Sequence, residues 1–381
     1  MAAKHTIPNP FLLKGYETPE YFCNREKEVK ILKENISQKR DITLFAIRRI
    51  GKTGLIKHLF HFLQKDFHCI YLDIYSTQNH EEFLNQLAAA IFNSLPKRKQ
   101  ATNNFVEYIK SFNPSISFDQ LTGLPELSLQ FNPNLSFEKS LTKLFSYLES
   151  QNKPVVIAID EFQQVAEYPE SNTEASLRTI IQRLKNTTFV FCGSNKHLIH
   201  EMFNSAKRPF FASTQSIYLD KIEHEDYKSF ILKQFKKYKK KISEAAVDFI
   251  LSWTKRHTFY TQAVCNRAFF LAKSTEMGVE EVQLICDGIL KEQEGIFYQY
   301  RNLLTSSQWN LLIAIAKEDR VYQPTGIQFI GKYKLGNASS VRRSLNSLTE
   351  KEMVVEINTE NEHYYSVYDC FLQRWMAKLN K

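Results

Sequence analysis

A lysine and a threonine directly follow a glycine at Gly51-Lys52-Thr53, between an apolar run and a segment with helical spacing. A loop in this context can turn its backbone N–H groups inward at a helix N-terminus, where they bind phosphate oxygens. The lysine then reaches the β- and γ-phosphates of a nucleotide, and the threonine hydroxyl binds magnesium, Mg²⁺. We therefore predict a nucleotide-binding loop made of Arg49, Ile50, Gly51, Lys52, Thr53 and Gly54.

Two carboxylates end a second apolar run, VVIAIDE, at residues 155–161. A buried strand of a parallel sheet would carry Asp160 and Glu161 at its carboxyl end, which is the edge where ligands bind in such sheets. We predict that Asp160 holds Mg²⁺ together with Thr53, and that Glu161 orients and deprotonates the attacking water. Alone, the pair is equally well explained as solvated carboxylates, but the Gly-Lys-Thr loop before it favours the catalytic role.

A third apolar run, FVFCGSN at residues 189–195, also ends in polar residues. Its end would lie beside the ends of the other two strands, so Ser194 or Asn195 would reach the γ-phosphate or the water. An ordinary turn explains both residues equally well. The candidate catalytic residues are therefore Lys52, Glu161, Ser194 and Asn195.

The loop departs from its usual pattern five residues before Gly51, where Ala46 stands at a position that normally holds glycine. Alanine costs about 1 kcal/mol there if the backbone needs a positive φ. Because alanine is also the least obstructive side chain, we predict a working site in which Ala46 adopts an ordinary φ. The side chains of Arg48 and Arg49 are predicted to face solvent or a partner rather than phosphate.

The apolar runs alternate with amphipathic segments in the order that a parallel sheet with crossover helices requires. The predicted fold class is therefore α/β, with helices on both faces of the sheet. A pair of alternating segments predicts a β-hairpin insertion near 113–133. Strands are predicted at 43–47, 69–75, 154–160, 187–194 and 216–220, and helices at 26–37, 51–64, 80–95, 136–150 and 173–185.

Beyond residue 220 the pattern becomes helical, which predicts a helical lid over 221–292. Three helices followed by two strands then predict a winged helix-turn-helix domain over 293–381. Residues 1–220 make up the predicted nucleotide-binding core. The chain is accordingly expected to have three domains.

Seven stretches in a fixed order resemble the AAA+ and STAND-type P-loop ATPases, in particular the archaeal-type ATPases. They are YFCNREKEVKIL (21–32), IRRIGKTGLIKHL (47–59), VVIAIDEFQ (155–163), FCGSNKHLIHEMF (191–203), RPFFAST (208–214), HTFYTQ (257–262) and DCFLQRW (369–375).

This resemblance implies that the chain binds ATP or ADP with Mg²⁺, and it assigns further residues. Phe22, Asn24 and Arg25 correspond to the segment that packs on the adenine. His257 corresponds to the nucleotide-sensing position of the lid, although a structural histidine at a helix N-terminus explains it equally well. RPFFAST replaces the tyrosine-glycine-arginine stretch of many relatives, which leaves the arginine finger unassigned, with Arg208 as a nearby candidate.

The composition indicates a folded globular protein, since 43% of the 381 residues are hydrophobic and 24% are charged. No apolar run is long enough to span a membrane, and the first residues do not have the pattern of a signal peptide. The six cysteines have no CxxC spacing, so neither a zinc site nor a disulfide framework is indicated. We expect a cytoplasmic location.

Three functions remain open. The first is an ATP-binding switch that hydrolyses ATP slowly and changes the placement of its winged helix. The second is a nucleotide-gated DNA-binding protein in which Arg342 and Arg343 face DNA. The distribution of charge gives this function little support, because the net charge of +9 is spread along the chain. The KKYKKK run at 236–241 is expected to be the solvated end of a helix. The third is a non-hydrolysing ATP-binding scaffold for a protein partner, which the intact Lys52, Asp160 and Glu161 disfavour.

Overall fold

The computed structural model describes residues 7–96, 99–118, 125–130, 136–358 and 362–379. The described residues form two compact units. The first runs from Lys14 to Ile222, and the second combines the residues up to Leu13 with those from Glu223 onward. Within the described part of the chain, no helix is both long and apolar enough to cross a membrane.

A five-stranded parallel sheet forms the centre of the first unit, with the strand order β2-β5-β6-β1-β7. Its inner strands β1, β5 and β6 are buried at every position, as expected for a sheet covered on both faces. The strands of this unit are β1 (Ile42–Ala46), β2 (His68–Asp73), β3 (Pro114–Phe118), β4 (Pro125–Leu129), β5 (Val155–Asp160), β6 (Thr187–Gly193) and β7 (Gln215–Leu219).

Helices cover both faces of the sheet, which confirms the predicted α/β fold. Successive residues of β5 point to opposite faces, so Ile157 packs with one set of helices and Ala158 with the other. Helices α1 and α2 lie on one face, whereas α3, α5, α6 and α7 lie on the other. The helices are α1 (Glu26–Ser37), α2 (Lys52–Leu63), α3 (His80–Ser94), α4 (Lys99–Tyr108), α5 (Phe137–Glu149), α6 (Thr173–Ile181) and α7 (Lys196–Asn204).

The insertion near 113–133 contains an antiparallel hairpin, in which β3 pairs with β4 from Pro114↔Leu129 to Phe118↔Pro125. Its inner side is fastened to α3, because the Leu129 backbone N–H donates a hydrogen bond to Asn85 Oδ1 at 2.7 Å. Residues 119–124 and 131–133 of the predicted insertion lie outside the described residues.

The second unit contains four helices followed by a winged helix, as the sequence predicted. The four helices are α8 (His224–Lys237), α9 (Glu244–Trp253), α10 (Thr258–Leu271) and α11 (Val279–Leu303). The winged helix consists of α12 (Ser306–Glu318), α13 (Ile327–Tyr333), α14 (Ala338–Glu350), β8 (Val354–Asn358) and β9 (His363–Val367), and it is followed by α15 (Cys370–Lys378). The structure groups all of these elements in one unit, so a separate lid domain stays a prediction.

The N-terminal segment packs into the second unit, although the predicted core began at residue 1. Phe11 is fully buried and its ring lies 5.6–6.3 Å from the rings of Phe230, Phe235 and Phe269. Asn266 fixes the backbone, since its Nδ2 donates a 2.7 Å hydrogen bond to the carbonyl oxygen of Phe11. Apolar burial of this size makes the segment part of the second core.

Candidate functional site

The loop that was predicted to bind phosphate connects β1 to α2. Ala46 is the last residue of β1 and pairs with Leu219, so its backbone is extended, as predicted. Positive φ occurs later in the loop, at Arg49 (63°) and at Gly51 (101°), which is the N-cap residue of α2. The side chains of Arg48 and Arg49 are exposed, in keeping with a position facing solvent or a partner.

Lys52 begins α2 and lies between the two carboxylates of the β5 end. Its Nζ is 2.8 Å from Asp160 Oδ1 and 3.5 Å from Glu161 Oε1, and the residue is only 8% exposed. Burial alone would lower the pKa of Lys52, but the neighbouring carboxylates outweigh burial and raise it. Lys52 is therefore charged, as a phosphate-binding lysine must be.

Asp160 accepts hydrogen bonds on both of its oxygens. Its Oδ2 accepts from Thr53 Oγ1 at 2.9 Å and from the Tyr71 hydroxyl at 2.8 Å, and its Oδ1 accepts from the Glu161 N–H at 3.1 Å. Burial would raise the pKa of Asp160, yet the charge of Lys52 and these donors hold it below its usual value. The carboxylate is thus ionised and fixed in place.

The Thr53 hydroxyl and the Asp160 carboxylate fit the predicted magnesium site. Both groups offer oxygen atoms as metal ligands, and Thr53 Oγ1 and Asp160 Oδ2 lie 2.9 Å apart at the start of α2. Mg²⁺ in nucleotide sites uses one or two protein oxygens and takes its other ligands from phosphate and water. Within the described ranges no cluster of three or more His, Cys, Asp or Glu side chains could hold a metal, so a cage made only of such side chains is not found there.

Glu161 is held by three donors on a single oxygen. Its Oε2 accepts from the Ser194 backbone N–H at 3.0 Å, from Ser194 Oγ at 2.7 Å and from Gln163 Nε2 at 2.7 Å. Burial would raise the pKa of Glu161, but Lys52 and these hydrogen bonds lower it. Its backbone has a φ of 56°, a left-handed conformation that costs energy in a non-glycine residue.

The structure separates the two residues predicted at the end of β6. Ser194 joins the carboxylate pair through its contacts with Glu161. Asn195 is the N-cap of α7, and its side-chain oxygen accepts a hydrogen bond from the Leu198 N–H at 3.1 Å. This cap gives Asn195 a structural role, as Asn commonly has at helix starts.

Three further polar residues of the site were not found from the sequence: Tyr71, Asp73 and Gln163. Tyr71 and Asp73 belong to β2, whose last residue Asp73 pairs in register with Asp160. Burial, together with the charges of Asp160 and Glu161, raises the pKa of Asp73. The signal for Asp73 was the end of β2, because every parallel strand ends at the ligand edge. Tyr71 lies two residues earlier and therefore on the same face of the strand. Gln163 lies outside any strand and had no such signal.

The segment predicted to pack on adenine lies against α2. The Phe22 ring stacks on the His58 ring at a centroid distance of 4.2 Å and lies over Gly54, where a Cβ would come within 3.2 Å of it. Phe22, Asn24 and His58 line a cavity of about 570 Å³ beside α1, large enough for a base. Their contact with adenine stays a prediction.

Asn24 and Arg25 form the turn that starts α1, with φ values of 55° and 76°. Arg25 is buried and its guanidinium pairs with Glu28 at 2.8 Å. Arg25 therefore has a structural partner inside the first unit, and its predicted role beside the nucleotide remains a prediction.

His257 belongs to the second unit, where it is the buried N-cap residue of α10 and its ring lies 4.8 Å from that of Tyr260. Its nucleotide-sensing role stays a prediction.

Arg208 lies between two carboxylates of its own chain, 2.9 Å from Glu174 and 3.1 Å from Glu201. This ion pairing gives Arg208 a function inside the first unit.

Two domain families match the chain. The family described as "ATPase domain predominantly from Archaea" matches residues 22–255, and the family described as "Probable winged helix domain" matches residues 295–378. Among curated proteins, none matches the sequence significantly.

Solved structures share the fold over nearly the whole chain. A Walker-type ATPase of Pyrococcus abyssi aligns with a TM-score of 0.65 at 16% identity, covering 96% of this chain and 99% of that one. The ORC2 protein of Aeropyrum pernix in ADPNP–ADP complexes gives 0.56 at 10% identity, with 96% and 97% covered. The ORC1 protein of Aeropyrum pernix in complex with DNA gives 0.52 at 12% identity, with 97% and 96% covered. At such identities the likeness concerns the fold.

Proposed function

Since the chain belongs to the family of ATPase domains found predominantly in Archaea, we propose that it binds ATP·Mg²⁺, hydrolyses it slowly to ADP and phosphate, and couples the nucleotide state to the placement of its winged helix. The observation that carries the proposal is the arrangement at the ligand edge of the sheet, where Lys52 Nζ lies 2.8 Å from Asp160 Oδ1 and 3.5 Å from Glu161 Oε1. A lysine, a metal-binding carboxylate and a base in this arrangement are the parts that ATP hydrolysis needs.

Binding would use the first turn of α2. The backbone N–H groups after Gly51 point along the helix axis toward an anion, and Lys52 exchanges its contact with Asp160 for the β- and γ-phosphates. Thr53 and Asp160 would hold Mg²⁺, which would supply positive charge beside the phosphates. The stacked Phe22 and His58 rings offer an apolar surface to the base.

Hydrolysis would use Glu161 as the residue that orients the water and accepts its proton. Three hydrogen bonds from Gln163 and Ser194 fix its Oε2, so the carboxylate is well placed for this role. The proposed slow turnover would suit a switch better than a motor.

Phosphate release and ATP affinity test this function in three proteins: wild type, Lys52→Ala and Glu161→Gln. Lys52→Ala should abolish ATP binding in calorimetry at micromolar concentrations while circular dichroism stays unchanged. Glu161→Gln should keep the affinity and lower hydrolysis by roughly 10²–10⁴, the usual effect of a positioned base. A Glu161→Gln protein that hydrolyses at the wild-type rate would contradict the assigned base.

DNA binding by the winged helix is a second candidate, because α14 presents two adjacent arginines. Arg342 and Arg343 are exposed, while Val341, Leu345 and Leu348 of the same helix are buried. The related ORC1 structure is a complex with DNA. A protein partner for this domain remains the alternative.

Salt dependence tests the DNA candidate. The double change Arg342→Ala, Arg343→Ala should flatten the slope of log affinity against log salt by up to about 2, if each arginine contacts a phosphate. Lys317→Ala, an exposed cation on α12, is the matched control. No gel shift at low salt, with either ATP or ADP, would favour the protein partner.

We also place the protein in the cytoplasm. No disulfide joins the six cysteines, all of which lie among the described residues, and this agrees with a reducing compartment. Mass spectrometry of thiol labelling in cells would test the placement.

A further inference from the structure

We propose that Gln163 is the positioning residue of the hydrolytic centre: it fixes one carboxylate oxygen of Glu161 and leaves the other oxygen for the attacking water. The inference rests on the proposed ATPase activity. It assigns a role to a side chain that no strand-end pattern points to.

The first argument is that the two carboxylate oxygens of Glu161 have different hydrogen-bond partners. Oε2 accepts all three hydrogen bonds, from Gln163 Nε2 and from the N–H and hydroxyl of Ser194. Oε1 contacts Lys52 Nζ at 3.5 Å, a long contact. Lys52 is the residue proposed to move onto phosphate, and its departure leaves Oε1 available to water while Oε2 stays fixed.

The second argument is that burying the polar side chain of Gln163 at this position lowers the stability of the fold. It is 8% exposed, and among the described residues its Oε1 is buried with no hydrogen-bond partner. A buried amide oxygen without a partner destabilises a fold. The amide also has a single workable orientation, since reversing it would set its oxygen against the Glu161 carboxylate. A methionine of similar size would avoid this penalty, so the amide is explained by its hydrogen bond to Glu161.

The third argument is that β6 leaves space for this amide. A Cβ on Gly193 would lie 2.2 Å from Gln163 Oε1, closer than any real contact. Glycine at the residue before Ser194 therefore leaves the space that the amide occupies, and a larger residue would displace the amide from this position. The left-handed backbone of Glu161, which starts the 3₁₀ helix Phe162–Glu167, brings Gln163 back to the same carboxylate.

Steady-state hydrolysis by Gln163→Met tests the role, because methionine keeps the volume and removes the donor. We expect kcat to fall at least about tenfold while KM for ATP stays within about threefold, since only the placement of the base changes. The melting temperature should be unchanged or higher. Gln164→Met, at the next and partly exposed residue, is the matched control and should resemble wild type.

Gly193→Ala provides an independent test through a double-mutant cycle. In the wild-type background its new Cβ should displace the amide and lower kcat as Gln163→Met does. In a Gln163→Ala background, where no amide remains to displace, the same change should have little further effect. Additive losses would show that Gly193 acts on Ser194 instead, and would remove this support.

An unchanged kcat in Gln163→Met would overturn the inference, and so would a higher kcat, which would make the hydrogen bond a restraint on Glu161. If wild type binds ATP but releases no phosphate, the proposed hydrolysis fails on its own. A crystal structure of Gln163→Met with a non-hydrolysable ATP analogue then decides the matter for Gln163. A Glu161 carboxylate that has turned away from its wild-type orientation keeps the positioning role, and an unmoved carboxylate refutes it.

Discussion

At the scale of single residues, the candidate site contains more carboxylates than cationic side chains. Lys52 faces the carboxylates of Asp160 and Glu161, and Asp73 adds a third carboxylate opposite Asp160 in the sheet. An anionic nucleotide would be repelled by this set unless a cation accompanied it. The residues therefore predict that Mg²⁺ and ATP bind together.

Asp160→Asn should weaken the magnesium dependence of ATP binding. The amide keeps an acceptor for Thr53 and Tyr71 but loses the charge that attracts the metal. A fluorescent ATP analogue titrated over a series of magnesium concentrations measures this dependence. Asp66→Asn, which removes an exposed carboxylate outside the site, is the control. An Asp160→Asn protein with wild-type magnesium dependence would place the metal elsewhere.

Glycine should have opposite effects at two positions of the phosphate loop. Ala46 is extended, so Ala46→Gly adds only unfolded-state entropy and should destabilise by about 0.4–1 kcal/mol. Arg49 is left-handed, so Arg49→Gly relieves a cost of about 1 kcal/mol and should be neutral or stabilising. Urea melts of both variants, with and without ATP, provide the comparison. The reverse order of stabilities would mean that Ala46, and not Arg49, needs the left-handed backbone.

At the scale of elements, apolar runs in the sequence predicted the strands of the sheet well. Contacts between residues that lie far apart in sequence were not predicted. Every strand of the parallel sheet carried a run of apolar residues long enough to recognise. Helix α4 was missed because its segment, KQATNNFVEY, is mostly polar. Gln163 was missed because its role depends on Gly193, thirty residues later, and no local pattern records such a contact.

Asp41 links β1 to β6 and should make stability depend on pH. Its carboxylate accepts a hydrogen bond from the Phe189 N–H at 2.8 Å, and burial raises its pKa to about 6. Between its unfolded pKa of about 4 and this value, the folded state binds more protons than the unfolded state. Its contribution to the free energy of unfolding therefore falls as pH rises through that window.

Asp41→Asn keeps the acceptor for Phe189 and removes the charge. It should stabilise the protein by about 1–3 kcal/mol near pH 7 and have little effect near pH 4. Denaturant melts followed by circular dichroism at both pH values measure the difference. An equal gain at the two pH values would show that charge burial is not the cause.

At the scale of the whole molecule, the two units do not follow the chain in simple order. The described residues up to Leu13 belong to the second unit, and the entire first unit, from Lys14 to Ile222, is inserted between them and Glu223. All three tryptophans, Trp253, Trp309 and Trp375, lie in the second unit. Tryptophan fluorescence therefore reports unfolding of that unit specifically.

Phe11→Ala should destabilise the second unit by about 3–5 kcal/mol, because a fully buried ring leaves a cavity among three other rings. The tryptophan signal should shift to lower denaturant, while ATP affinity of the first unit stays unchanged. Leu13→Ala, at a residue that is 52% exposed, is the control and should change stability by less than about 0.5 kcal/mol. Equal losses in both variants would argue against a specific anchor.

The packing of Phe11 has a consequence during protein synthesis. The ribosome makes Phe11 before the first unit, but the rings of Phe230, Phe235 and Phe269 follow only after roughly 220–260 further residues. At about 5–20 residues per second, that delay is on the order of 10–50 s. The inserted first unit is fully translated within this interval, so its sheet is able to form while the N-terminal segment still awaits its partners. Nascent chains halted before Glu223 should therefore present an N-terminus open to proteolysis, and chains extended past Phe269 should protect it.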